Sequence, residues 1–294
     1  MKSIIINNDS KIKLSNNNII IENSKGIFNE SLDCTSLIII QSKATLTTDL
    51  INETINKDIP IIICSDKKLP NAVILPYYGS FNRFETISKQ INWSDEQKQK
   101  VSLKIIENKI LNQQKVIELL FHKSDAYQNY FDSINIENKT RQEAFVARKY
   151  FYKLFGNQFN RRDYDNDINK KLNYGYAIIA SIITNEIVSH GYLTEIGINH
   201  FAKTNNFNFT YDIIEPFRQI VDMFVYNTKS NEFNTDYKVQ LVNLLYNEIV
   251  YNKKKYSVIN AIKEYVLSII KALNGKSNIG IIEIIWQFIN SDIR

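Results

Sequence analysis

The 294-residue sequence predicts an α+β protein: an N-terminal β-rich domain over 1–90 with one helical excursion, then a larger all-α domain over 91–294. Two observations predict this division. Short β-branched runs separated by turn residues fill the first part, and apolar residues at three- and four-residue spacing fill the second. A third observation bounds it. Hydrophobic residues make up 44% of the chain and charged residues 23%, ordinary globular values that allow a sizeable core and argue against wholesale disorder.

In the first part, Ser3–Ile6, Asn18–Glu22, Ser36–Ile40, Ile59–Cys64 and Ala72–Leu75 each suit a strand of ordinary length. Asn7–Asp9, Asn16–Asn18, Asn23–Gly26 and Lys67–Pro70 supply turn chemistry between them. One helix interrupts the rhythm, with Thr47 or Thr48 as its cap and Leu50, Ile51, Thr54 and Ile55 along one side. Pro76 to Lys89 breaks the strand pattern and forms the expected junction.

From Asn92 onward the period is helical. Trp93-Ser94-Asp95 offers a cap for a helix carrying Val101, Ile105, Ile106, Ile110 and Leu111. The same periodicity predicts helices over 141–155, 172–189, 213–227, 236–251, 257–273 and 281–292, with Asn157–Lys171 as the longest loop.

The formal charge of +5 is too small to imply a polyanion partner by itself, but it is focused. Between 141 and 175 stand Arg141, Arg148, Lys149, Lys153, Arg161, Arg162, Lys170 and Lys171 against Glu143, Asp163, Asp165 and Asp167. Lys253–Lys255 forms a second basic run, expected at a solvated helix boundary. Two cysteines, Cys34 and Cys64, indicate neither a disulfide framework nor a cysteine-based zinc site. The N-terminus does not resemble a signal peptide and no apolar run reaches a membrane span, so a soluble cytoplasmic protein is expected.

Three histidines invite individual inspection. His122 closes the apolar stretch ELLFHK and His190 precedes Gly191, so favourable interaction with a helix C-terminus accounts for both. His200 lies in GINH, shortly before Tyr211-Asp212-Ile213-Ile214-Glu215-Pro216-Phe217-Arg218. Pro216 places a helix start near Ile213 or Ile214, which puts Glu215 in the first turn, where the helix dipole favours a carboxylate. Glu215, Arg218 and Asp222 then share one face, and Asp212 either caps the helix or adds a ligand. Spacing alone favours an ordinary surface pair between Glu215 and Arg218, the commoner arrangement, over a metal ligand.

Glu143 sits in RQEAFVARKYF, beside the packed stripe of a helix whose Ala144 and Ala147 allow another helix to approach closely. A carboxylate at the edge of a core needs a cation or a metal as partner. Arg148 or a distant lysine is the simplest. Tyr174 and Tyr176 in LNYGY read as core residues more readily than as stacking platforms for bases.

Taken in order, RQEAFVARKYF, LNYGYAII at Leu172–Ile179, GINH ending at His200 and YDIIEPFR ending at Arg218 resemble the α-helical catalytic domain of the CRISPR-associated integrases that acquire spacers. IPIIICSDKKLPNAVILP at Ile59–Pro76 looks like the end of that family's β-domain. The likeness spans most of the chain, and the IEPFR form is most similar to the integrase of type II systems. It implies a metal-dependent DNA endonuclease/integrase in which a DNA 3′-hydroxyl attacks a phosphodiester of a repeat array. Glu143, His200 and Glu215 match the family's metal ligands, and Asp212 matches a further acidic position that is a candidate fourth. Arg218 resembles a family arginine that contacts DNA backbone or orients carboxylates.

Two carboxylates and one imidazole suit Mg²⁺ or Mn²⁺. Lys149, Arg161 and Arg162 follow Glu143 in the basic segment and are the candidates for DNA contact. The resemblance also implies a homodimer through the β-domain and a heterohexamer in which a small partner subunit bridges two such dimers. Duplex DNA, both incoming fragment and repeat array, is the implied substrate, with other type II CRISPR proteins as further candidate partners. The residue patterns leave two rivals open: a non-catalytic DNA-binding scaffold whose acids only make salt bridges, and a stand-alone metal nuclease acting on branched DNA in repair.

Overall fold

The computed structural model describes residues 2–77, 82–122, 127–276, 278–280 and 282–284. A strand-rich N-terminal region precedes a helical one, as the periodicities predict. Two compact units result, Met1–Arg83 with Thr184–Tyr192, and Phe84–Ile183 with Leu193–Arg294.

In the first unit β1 (Lys2–Ile6), β2 (Ser10–Ser15), β3 (Asn18–Asn23), β4 (Gly26–Ser31), β5 (Thr35–Ile40), β6 (Ala44–Leu46), α1 (Thr48–Asn56), β7 (Ile61–Cys64) and β8 (Pro70–Ile74) follow in sequence. They form two four-stranded sheets, ordered β1-β5-β7-β8 and β4-β3-β2-β6. Strands β1, β5 and β7 are parallel, and every residue of β5 is buried, which is why Leu37–Ile40 reads as an unbroken apolar run. Three strands escaped the sequence reading. Strand β2 alternates Lys11 and Lys13 on the outside with buried Ile12, so its apolar content is low. Its turn into β3 places Asn16 and Asn17 at φ 48° and 60°, the left-handed conformation that a two-residue hairpin needs and asparagine tolerates. Ile4, Ile6, Ile12, Ile19, Ile38 and Leu50 lie at the centre of this unit's core.

The chain continues through α2 (Arg83–Ile91), α3 (Asp95–Phe121), α4 (Gln128–Ser133), α5 (Lys139–Phe155), α6 (Asp167–Ser189), α7 (Asn208–Ile213) and α8 (Arg218–Asn227). Then come α9 (Thr235–Asn243), β9 (Glu248–Tyr251), β10 (Lys254–Ser257), α10 (Val258–Leu273) and β11 (Ile282–Ile284). Ser94 caps α3, its hydroxyl accepting the Gln97 N–H at 3.2 Å. Within the second unit α5, α8, α10 and the Glu215–Phe217 turn all pack on α3, which is its axis. Among the described residues no helix is long and apolar enough to cross a membrane.

Three expected helices are corrected. The 213–227 segment is not one helix: α7 ends at Ile213, Glu215–Phe217 form a 3₁₀ turn, and α8 begins at Arg218. Pro216 has no N–H for an α-helical bond, so the chain tightens and Phe217 N–H bonds Ile214 O at 2.9 Å. In 236–251 the helix stops at Asn243, and Glu248–Tyr251 is a strand with alternating burial. Lys253 and Lys254–Lys255 belong to a hairpin rather than a helix boundary, with Asn252 and Lys253 at φ 49° and 64°. Strand β11 replaces helix at Ile282–Ile284, and the rest of the expected 281–292 helix lies outside the described residues.

Candidate metal centre

The second unit brings four acidic or imidazole side chains to one cleft. Helix α5 carries Glu143, the loop before α7 carries His200, the last turn of α7 carries Asp212, and the 3₁₀ turn carries Glu215. Ser102, Ile105 and Ile106 of α3 form its floor. Free space between them is about 10 Å³, room for one water-sized occupant.

Each side chain is held by local chemistry. Gln90 fastens the loop: its amide nitrogen donates to Leu193 O and Ile196 O at 2.8 and 3.1 Å, and its oxygen accepts Leu193 N–H at 2.8 Å. Asn208 donates to Glu195 O and Ala202 O, both at 3.0 Å. Asp212 then gathers the turn. Its carboxylate accepts the N–H groups of Ile198, Asn199 and His200 at 2.6, 3.1 and 3.0 Å, and His200 Nδ1 lies 2.7 Å from Oδ1. A Cβ on Gly197 would stand 2.5 Å from His200 O and 2.7 Å from Asp212 Oδ2, so this close approach requires glycine. The hydrogen bond that His200 donates to Asp212 raises the His200 pKa, against the effect of partial burial.

Glu215 is positioned from α3, because the Asn112 side-chain amide donates to Pro216 O at 2.9 Å inside the core. Its Oε1 accepts Arg218 Nε at 3.0 Å. Its Oε2 lies 2.5 Å from Lys109 Nζ, and the same ammonium donates to Glu143 Oε1 at 2.6 Å. Burial alone would raise the Glu215 pKa; the Arg218 and Lys109 charges outweigh it and hold the carboxyl at about 2. Lys139, on α5 and buried, donates to Ser102 Oγ at 2.7 Å.

Lys109 and Lys139 were not singled out from the sequence. A signal existed for Lys109: it falls at i+3 and i+4 from Ile106 and Ile105 and seven residues before Val116, on the buried stripe of α3. A lysine inside an apolar stripe needs partners, and those partners are the two glutamates. Glu143 thus pairs with a distant lysine rather than with Arg148.

The residues proposed for DNA contact occupy different settings. Lys149 donates to Tyr130 OH at 2.8 Å and lies over the Phe145 ring, in an open groove of about 540 Å³ that Arg148, Tyr152 and Lys153 also line. Arg161 fastens its own loop, with Nη1 and Nη2 at 2.5 and 2.9 Å from Asn169 Oδ1 and Asn173 Oδ1. Arg162 is exposed. Arg218 orients Glu215 and stacks over Tyr176, which together with Tyr174 belongs to the core. Behind them the Tyr176 hydroxyl donates to buried Asp222.

Residues 4–248 match the model of the family described as CRISPR associated protein Cas1. The chain belongs to the Cas1 family. A CRISPR-associated endonuclease Cas1 of Neisseria meningitidis serogroup C (strain 8013) is 26% identical over 284 residues, covering 94% of this chain and 93% of the relative. That of Francisella tularensis subsp. novicida (strain U112) is 24% identical, covering 83% and 86%. Among solved structures, a casposase bound to integration product aligns with TM-score 0.76 at 20% identity, over 94% of this chain and 92% of the other. A Cas1 protein of Thermotoga maritima aligns with TM-score 0.74 at 17% identity, over 95% and 99%. These likenesses establish the Cas1 fold.

The donor set of this Cas1 chain suits a hard divalent ion. Glu143 and Glu215 offer carboxylate oxygens, and Asp212 occupies His200 Nδ1 so that Nε2 remains as the donor. Among the described residues no three His, Cys, Asp or Glu side chains already form a group that could hold a metal ion, and Lys109 contacts both glutamates.

Proposed function

We propose that this chain is a metal-dependent DNA integrase that inserts short DNA fragments into a CRISPR repeat array. The observation that carries the reading is the convergence, in a Cas1-family chain, of Glu143, His200 and Glu215 on one cleft from segments 57 and 15 residues apart in sequence. Mg²⁺ or Mn²⁺ held by these three would supply positive charge to the phosphodiester under attack and to the entering and leaving oxygens. The chain supplies no covalent nucleophile; a DNA 3′-hydroxyl displaces another 3′-hydroxyl, and the same cleft serves nicking.

The protein's own residues do the positioning. Asp212 fixes the tautomer and orientation of His200 from behind, as a carboxylate that already accepts four donors. Arg218 holds Glu215 in one rotamer. Lys149 and Arg162 hold DNA phosphates along the groove side of α5 and the loop after it, and Arg161 keeps that loop in shape while offering its remaining N–H groups. In this reading the chain forms a homodimer through the strand-rich unit, bridged by a small partner subunit; family membership and the solved complexes named for Cas1 with Cas2 support it. Edge strand β4, with Ile27 and Phe28 exposed, offers unpaired backbone groups for such pairing.

Purified protein with Mn²⁺ or Mg²⁺ and the partner subunit is expected to join short duplexes into a repeat-bearing plasmid. His200→Ala and Glu215→Ala variants are expected to lose this activity by at least a hundredfold; unimpaired joining by either would refute the site. The scaffold reading draws on one observation, the Lys109 bridge, because acids neutralised by a lysine need no metal. It predicts duplex binding with strong salt dependence and no metal-dependent joining.

A further inference from the structure

Lys109 reaches the cleft from the middle of α3, and its side chain is 12% exposed. Its ammonium touches both glutamates at once, 2.6 Å from Glu143 Oε1 and 2.5 Å from Glu215 Oε2. Together with Arg218 on the other oxygen of Glu215, this cation balances the two carboxylate charges that a divalent ion would otherwise neutralise. Two neighbouring carboxylates with no cation between them repel, and in a buried setting that repulsion is weakly screened. The remaining polar neighbours are committed elsewhere. Arg218 serves the other oxygen of Glu215, Lys139 bonds Ser102, and Asp212 is saturated by the His200 turn.

We infer that Lys109 is the resident counter-ion of Glu143 and Glu215, which holds the two ligands together in the metal-free protein and is exchanged for the divalent ion when the site loads. This rests on the metal-site reading above and adds to it a residue and an order of events. The ammonium stands between Glu143 Oε1 and Glu215 Oε2, the position that an ion coordinated by both oxygens would take. Loading therefore swings the flexible lysine stem outward, leaving a positive charge at the rim of the cleft. The lysine sets metal affinity by competition and sets metal-free stability by neutralisation. It is a positioning residue for the two glutamates.

The test measures Mn²⁺ binding by titration calorimetry and thermal unfolding with and without Mn²⁺, for the full chain and for Lys109→Met and Lys109→Arg, with circular dichroism as the check on folding. Lys109→Met removes the charge at similar length. It is expected to bind Mn²⁺ at least tenfold more tightly than the unsubstituted chain, about 1.4 kcal/mol, and to melt several degrees lower without metal. Lys109→Arg keeps a bridging cation and can contact both carboxylates through separate N–H groups. It is expected to keep the metal-free melting temperature and to bind Mn²⁺ more weakly. Equal or weaker Mn²⁺ binding by folded Lys109→Met overturns the exchange, and so does tighter binding by Lys109→Arg. A different result sinks the underlying reading instead: no Mn²⁺ binding by any of the three, or binding that survives His200→Ala with Glu143→Ala.

Discussion

Asp212 concentrates more hydrogen bonds than any other side chain at the site, and two of the four hold His200, a proposed ligand. Replacing it with asparagine leaves one acceptor oxygen and turns an amide N–H₂ toward backbone N–H groups. Hydrogen bonds to charged groups contribute about 1.5–3 kcal/mol each, and a carboxylate that orients a metal-binding histidine is worth about 10–100-fold in metal affinity. Asp212→Asn is therefore expected to bind Mn²⁺ at least tenfold more weakly while keeping all three proposed ligands. Titration of the variant checks this, and unchanged affinity would place Asp212 outside the site. Gly197→Ala tests the same turn from the other side. The new methyl meets a backbone carbonyl at 2.5 Å that cannot rotate away, so a loss of about 1–3 kcal/mol is expected in denaturant unfolding.

Asp222 gives the residue scale a pH signature. Burial raises its pKa to about 6 from the ordinary 3.8, with the Tyr176 hydroxyl and the Arg161 and Arg218 charges limiting the rise. A carboxyl whose folded pKa lies above its unfolded one contributes stability that is complete below about pH 4 and is lost as pH rises through 6. At about 1.4 kcal/mol per unit, the contribution is on the order of 3 kcal/mol. Asp222→Asn cannot titrate. Its melting temperature relative to the unsubstituted chain is expected to climb between pH 4 and pH 7, and a constant difference would show that Asp222 is ionised throughout.

At the scale of elements, α3 organises the site through polar residues on its buried face. Lys109 meets the glutamates, Asn112 clips the Pro216 carbonyl, and Asn108 donates to Gly280 O at 3.1 Å and accepts Ile282 N–H at 3.2 Å, tying in β11. Asn112→Ala leaves a buried carbonyl without its donor, a cost of about 1–3 kcal/mol, and loosens the turn that aims Glu215. Lower unfolding free energy together with weakened Mn²⁺ binding is the expected outcome; a stability loss alone would separate the clip from the site. The helix starts and stops follow local rules wherever a single residue enforces them. Ser94 begins α3, His122 ends it in the left-handed conformation, and Pro216 breaks the 208–227 segment. The 244–257 stretch went unread as a hairpin because Glu248–Tyr251 is short and its turn uses asparagine and lysine rather than asparagine and glycine.

At the scale of the whole molecule, the basic surplus of 141–175 acts through its exposed members. Lys149 and Arg162 present charge beside and beyond α5, whereas Lys171 is buried and donates to Lys229 O and Asn231 O at 2.9 and 2.6 Å. Removing both Lys149 and Arg162 is expected to lower the slope of log affinity for duplex DNA against log salt by about 1 per lysine or arginine. Removing Lys171 is expected to change stability and leave the slope alone. Filter binding across a salt series reads both.

The sequence by itself determined the order of strand-rich and helical regions, the cap of α3, and the four segments that carry the candidate site. Those signals are local: side-chain period, turn residues and a proline that lacks a donor. Glu143, His200 and Glu215 could be named from their segments and the order of those segments, but spacing could not distinguish a ligand from a surface pair. Only the tertiary structure decided what stands next to what. It put Asp212 behind His200, Arg218 on Glu215, Asn112 under Pro216 and Lys109 between two glutamates that lie 34 and 106 residues away from it. Each of these is a contact between groups distant in the chain. Its energy depends on burial and on the exclusion of water, and neither exists until the helices have packed.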